Sequence, residues 1–163
     1  MSDALHIITE SPESTRNLGE NLGQNLHSQT VIALTGDLGS GKTVFVQGLA
    51  RGLSVPESFP VTSPTYAIIN EYQGRLRLIH ADLYRIADPA ELADIGFDDY
   101  FTPNTVIAVE WADRIISDEF APDMDIRIRI IDDTHREFSF FFYGLDQSNL
   151  IEQLKNYIAQ HKE

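Results

Sequence analysis

The run Gly36-Asp37-Leu38-Gly39-Ser40-Gly41-Lys42-Thr43 constrains this chain more than any other feature. It follows a short uninterrupted apolar stretch, Thr30–Thr35, and precedes Phe45, Leu49 and Leu53, which recur every four residues with Val46 and Ala50 beside them. A short continuous apolar run reads as a strand buried on both faces. Apolar residues four apart read as one face of a helix. Strand, glycine loop and helix in that order point to an α/β fold in which the loop opens at the edge of a sheet.

The run satisfies G-x-x-x-x-G-K-[ST] at every fixed position, and each position has a physical reason. Glycines let successive backbone N–H groups turn inward toward phosphate oxygens. The helix that follows aims its positive N-terminal end at the same anion. Lys42 can reach the β- and γ-phosphates, and Thr43 can offer its hydroxyl to Mg²⁺. Asp37, Leu38, Gly39, Ser40, Gly41, Lys42, Thr43 and Val44 are therefore the candidate nucleotide-binding positions. The chain has only three lysines, Lys42, Lys155 and Lys162, and one of them sits in this loop.

Such a loop works with an acidic group near Mg²⁺ and a group that orients the attacking water. In open α/β sheets these lie at the carboxyl ends of strands. Glu110 ends the apolar run Thr105–Val109, and Asp82 follows the run Arg75–Ala81. The sequence alone leaves open which carboxylate serves the metal. Glu110 is assigned to the metal side with Thr43, and Asp82 to the water side. Ser63-Pro64-Thr65 lies between the loop helix and the next strand, where Thr65 is either a γ-phosphate sensor or an ordinary loop hydroxyl. On residue type alone Trp111 reads as core, His80 as a structural or hydrogen-bonding group, and Arg85 and Arg114 as surface ion-pairing groups.

The rest of the chain supplies the frame. His6–Thr9 reads as a first strand, and Ser11-Pro12-Glu13 as the start of a helix carrying Leu18, Leu22 and Leu26. Tyr66–Tyr72 and Arg75–Ala81 flank Gln73-Gly74 as a hairpin with one wetter face. Asp88-Pro89-Ala90-Glu91 opens a helix that Gly96 stops, with an acidic solvated face from Asp94 to Asp99. Asp125–Ile131 and Phe138–Tyr143 form a second hairpin, and Leu150, Leu154 and Ile158 mark a closing helix. The expected architecture is a three-layer α/β fold of the P-loop nucleotide-hydrolase kind, a mixed, mostly parallel sheet flanked by helices, in one domain spanning 1–163.

Composition excludes several alternatives. There is no cysteine, so there is no disulfide framework or thiolate metal site. The N-terminus shows no basic patch followed by an apolar run, and no stretch approaches the roughly 18 apolar residues of a membrane span, so a cytoplasmic location is expected. The net charge of −13 repels phosphate backbones, so nucleic acid is expected to be met through a partner.

Together these segments resemble the TsaE (YjeE) family, the ATPase of bacterial threonylcarbamoyladenosine tRNA modification. The resemblance rests on Gly36–Thr43, Ser63-Pro64-Thr65-Tyr66, His80-Ala81-Asp82-Leu83-Tyr84-Arg85, Gly96–Phe101 and Glu110-Trp111. Val44, where many members have a second Thr, and Ala81, where a larger residue is common, are mild departures. The resemblance implies ATP with Mg²⁺, and action with the TsaB and TsaD proteins on adenosine 37 of tRNA. It implies that hydrolysis resets that complex, with Lys42, Thr43, Asp82 and Glu110 as nucleotide, metal and catalytic positions. It places Thr65 in a switch loop and Trp111 beside the nucleotide. The alternative is a small-molecule kinase on the same loop, although the nine arginines are scattered and form no compact lid cluster. A regulatory GTPase is disfavoured by the lack of any Asn-Lys dipeptide.

Overall fold

A computed structural model describes residues 4–64, 66–114, 121–143 and 147–161. Seven strands, β1 (Leu5–Thr9), β2 (Thr30–Gly36), β3 (Ile69–Tyr72), β4 (Arg77–Asp82), β5 (Thr105–Glu110), β6 (Met124–Ile130) and β7 (Arg136–Phe142), form one sheet in the order β1-β7-β6-β2-β5-β4-β3. The helices are α1 (Pro12–Gln24), α2 (Lys42–Gly52), α3 (Ala90–Asp94) and α4 (Ser148–Gln160). The expected mixed sheet with a parallel centre is present. β2 pairs in parallel with β5 and β6, and β5 with β4, while the outer pairings are antiparallel. Short turns join β3 to β4 and β6 to β7, and a short turn permits only antiparallel neighbours.

Alternation along the central strands divides the core. Ile32, Leu34, Leu78, Val106 and Ala108 face one side with α1, α2 and α4. Val31, Ala33, Ile79, Ala81, Ile107 and Val109 face the other, beneath Leu83, Leu92 of α3 and Phe97 of the short 3-10 turn that follows it. The long helices thus lie on a single face, and α2 runs back from the glycine loop over the sheet.

α1 starts at Ser11, whose hydroxyl accepts the Ser14 N–H at 3.0 Å while the Ser14 hydroxyl accepts the Ser11 N–H at 3.0 Å. α1 and α2 approach unusually closely. A Cβ on Gly48 would lie 1.9 Å from the Arg16 carbonyl oxygen, and one on Gly19 would lie 2.3 Å from that of Phe45. Arg75 locks the far ends of both helices, donating to the carbonyls of Leu26 and Gly23 at 2.8 Å and of Gly52 at 3.3 Å.

Two expectations change. Arg75 lies ahead of β4 as this clamp, and β4 has no wet face, since Leu78 to Asp82 are all buried. The reason is topological: β4 pairs with β5 on its other side and so lies inside the sheet. Tyr66 to Ile68 form a turn ahead of β3, with Ile68 at φ 66°, a conformation costly for a β-branched side chain.

Candidate nucleotide site

β2 carries the chain to the loop, and the sheet register sets its neighbours. Leu34 pairs with Glu110, and Glu110 with Asp82, at the carboxyl ends of three parallel strands. Period two then puts His80, Asp82 and Glu110 on the face that α2 covers, the face of Leu78, Val106 and Ala108. The carboxylates therefore lie beneath the first turn of α2. The Thr43 hydroxyl donates to Glu110 Oε1 at 2.9 Å, and the His80 imidazole Nε2 lies 2.9 Å from Glu110 Oε2. Asp82 Oδ2 accepts the Ser63 hydroxyl at 2.7 Å, and its Oδ1 accepts the Tyr84 N–H at 3.0 Å.

The loop suits an anion. Gly41, the residue before α2, sits at φ 103°, and no side chain among the described residues caps the helix. The first N–H groups of α2 thus remain donors without an intrahelical acceptor. A Cβ on Gly39, at φ 79°, would meet nothing within 4 Å, so the loop's outer surface is open. Lys42 is 6% exposed, and its ammonium donates to the carbonyls of Gly36 at 2.7 Å and Asp37 at 3.0 Å. The ammonium also lies 4.2 Å from the centroid of the Trp111 ring. Burial pulls the Lys42 pKa below that of an ordinary lysine, and the carboxylates of Glu110, Asp82, Asp37 and Asp113 push back against that shift.

The donor set fits a magnesium site. Among the described residues no three His, Cys, Asp or Glu side chains cluster as a metal cage. A hydroxyl and two carboxylates at an open phosphate loop are what Mg²⁺ uses when phosphate and water complete its shell. Thr43, Glu110 and Asp82 are the groups that could hold such an ion.

A cavity of about 170 Å³ opens on the other side of the loop, lined by Ser11, Pro12, Thr15, Val44, Asp133 and Thr134. Arg136 fixes this side. Its guanidinium donates to the carbonyls of Ser40 at 3.1 Å and Gly39 at 3.3 Å, and to those of Asp132 at 2.7 Å and His135 at 2.9 Å. It ties the glycine loop to the β6–β7 turn. In that turn Asp132 accepts the backbone N–H groups of His135 and Thr134, which hold its carboxyl far below the usual range.

Against known proteins, the family profile for threonylcarbamoyl adenosine biosynthesis protein TsaE matches residues 9–138. This chain belongs to the TsaE family. The TsaE protein of Nostoc sp. is 46% identical over 114 residues, 67% of this chain and 68% of that protein. The TsaE protein of Bacillus subtilis is 37% identical over 151 residues, 91% and 92% of the two chains. The crystal structure of Bacillus subtilis YdiB superposes with a TM-score of 0.71 at 33% identity, covering 100% of this chain and 99% of that one.

Within this TsaE-family fold, Lys42, Thr43, Asp82, Glu110 and Trp111 lie together at the glycine loop. Trp111 is half-buried, packed on the edge of the core cluster of Ile107 and Val109 as well as against Lys42 and Tyr84, and adopts φ 58°. His80 has the hydrogen-bonding role expected of it, directed at Glu110. The Arg85 guanidinium lies 4.7 Å from the Tyr66 ring centroid. Thr65 and the Arg114 side chain lie outside the described residues. Sequence reasoning missed Arg136, Asp133 and Thr134, and it gave Ser11 and Pro12 a helix-capping role only. Nothing in residue spacing links Gly39 to Arg136 across 97 positions; only the pairing of β6 with β2 does.

Proposed function

We propose that this chain is a Mg²⁺-dependent ATP hydrolase that works with TsaB and TsaD in the threonylcarbamoylation of adenosine 37 of tRNA. Its hydrolysis resets the transferase complex between turnovers. The observation that carries the reading is the Thr43–Glu110 hydrogen bond beside Asp82, at the uncapped start of α2. Residues 36–44 cradle the phosphates, with Lys42 exchanging its loop carbonyls for phosphate oxygens. Thr43 and Glu110 serve the metal side. Asp82 orients the water that attacks the γ-phosphorus as the bond to the β,γ-bridging oxygen breaks, leaving ADP and phosphate. Magnesium, held through Thr43 and Glu110, would offset the negative charge on the phosphate oxygens. Trp111 flanks the phosphate side, and the cavity at Ser11, Val44 and Thr134 takes the base and ribose. Thr65 belongs to a switch segment beside Ser63.

The chain acts in the cytoplasm as a single domain over 1–163. Its net charge of −13 leaves tRNA contact to the partners. No helix among the described residues is long and apolar enough to cross a membrane. Hydrolysis is slow alone and faster in the assembled complex, because partner docking can order a switch segment. The test is phosphate release from ATP with Mg²⁺, measured with and without TsaB, TsaD and tRNA. Stimulation by the partners supports the reading. Full turnover that partners leave unchanged overturns the gating, and transfer of phosphate to a metabolite would replace the hydrolase reading with a kinase.

A further inference from the structure

His80 is an expensive choice for its position. It lies in the interior of β4 with 0% exposure, in register with Ala108 of β5 and Asn70 of β3. A leucine there would bury comparable surface with no polar atom to satisfy. The imidazole instead leaves Nδ1 buried with no hydrogen-bond partner among the described residues. An unsatisfied buried polar atom forfeits the hydration it had in the unfolded chain. The one hydrogen bond obtained in return is Nε2 to Glu110 Oε2, at 2.9 Å. Since a lone buried acceptor is less costly than a lone buried N–H, the proton belongs on Nε2, which donates to the carboxylate.

This bond settles the orientation of two further groups. Glu110 is 2% exposed and is bonded at both oxygens, by His80 at Oε2 and by Thr43 at Oε1. A threonine hydroxyl has one hydrogen and two lone pairs. With its hydrogen committed to Glu110, its lone pairs point away from the carboxylate and remain available to a cation. The line His80–Glu110–Thr43 thus runs from a rigid interior strand to the hydroxyl at the start of α2.

We infer that His80 is a positioning residue for the divalent cation, acting through Glu110 to fix the metal-facing lone pairs of Thr43. The inference rests on the nucleotide-site reading above. His80 touches neither nucleotide nor metal. Its contribution is to cation affinity in the presence of nucleotide, not to nucleotide affinity itself.

The experiment titrates Mn²⁺ into the full chain with ADP, following loss of the free Mn²⁺ electron paramagnetic resonance signal, and separately measures ADP binding in EDTA by calorimetry. His80→Leu should raise the Mn²⁺ dissociation constant by about 10- to 100-fold, the range seen when outer partners of metal ligands are removed. His80→Gln, whose amide N–H can take the place of Nε2, should restore most of that affinity. Neither substitution should change ADP binding in EDTA, and in a Glu110→Gln background His80→Leu should add nothing. Should His80→Leu fail to fold, His80→Asn, whose amide falls short of Glu110, takes its place. An unchanged Mn²⁺ dissociation constant, or equal losses in the Leu and Gln variants, overturns the inference. If the unsubstituted chain shows no cation-dependent ADP binding, it is the nucleotide-site reading that fails.

Discussion

Gly48→Ala tests the tightest of the backbone approaches at the described glycines. An alanine Cβ there would sit 1.9 Å from the Arg16 carbonyl oxygen, where real Cβ contacts stay beyond 3.0 Å. The obstacle is helix backbone, which cannot swing aside, so α1 and α2 must separate by at least the difference, about 1 Å. A gap of that size forfeits a quarter to a half of each contact's dispersion energy along the seam. Leu18, Leu22, Phe45 and Leu49, all fully buried, line that seam. Overpacking costs about 1–3 kcal/mol, and a backbone-limited site belongs at the upper end. Against this, Ala gains about 1 kcal/mol over Gly in helix propensity. The net loss is about 2 kcal/mol, a fall in melting temperature of about 4–8 °C for a domain of this size. Urea unfolding followed by circular dichroism should show a lower midpoint with an unchanged slope. A midpoint that stays or rises would mean that propensity outweighs contact, and the close approach would not be why glycine stands there.

Three further outcomes test the site. Because burial holds the Lys42 pKa below 10.5, the folded chain binds fewer protons than the unfolded one in the alkaline window beneath that value, and Lys42 lets stability rise with pH there. A phosphate beside the ammonium favours its charged form, so ADP binding in that window should take up protons; calorimetry in buffers of different ionisation enthalpy reads this, and Lys42→Met should abolish it. Asp82→Asn should leave nucleotide affinity within a few-fold while lowering turnover by about 10²–10⁴, the range for a lost proton-handling group, as measured by phosphate release in the partner complex. Arg136→Leu removes the bonds to the Ser40 and Gly39 carbonyls and should weaken ADP binding about five- to tenfold, about 1 kcal/mol, in a calorimetric titration.

What could be read from sequence was local or carried by residue type. The strand Thr30–Gly36, the loop and α2 follow from an apolar run, glycine spacing and period four, and they appear in the structure with nearly the expected bounds. Glu110 and Asp82 were found because strand-end carboxylates belong beside such a loop. The second half of the site was not legible, because it depends on which strands become neighbours. Ser11 reads as a helix cap and Asp133 as turn chemistry, and both readings hold locally. They border the loop only because β6 pairs with β2 and β1 with β7. Arg75 was misplaced for a related reason: alternation with Leu76 describes a strand, and no sequence pattern reports the two helix ends that its guanidinium reaches.

The charge distribution gives the proposed cation an electrostatic reason. Around Lys42 stand four carboxylates, Glu110, Asp82, Asp37 and Asp113, and the buried two face the same space as the loop. A polyphosphate entering there adds anionic charge to a neighbourhood already dominated by it. In a partly buried setting such repulsion costs several kcal/mol per close pair at an effective dielectric of about 20. One ammonium, itself penalised by burial, cannot offset that. The helix terminus contributes about half a charge and falls off within its first turn. A divalent ion between the carboxylates and the phosphate reverses the sign of the balance, because each anion then faces a cation. On this argument the pairing of Glu110 and Asp82 with a phosphate loop favours a nucleotide that enters with its cation, which is the outcome the Mn²⁺ titration of the His80 variants reads.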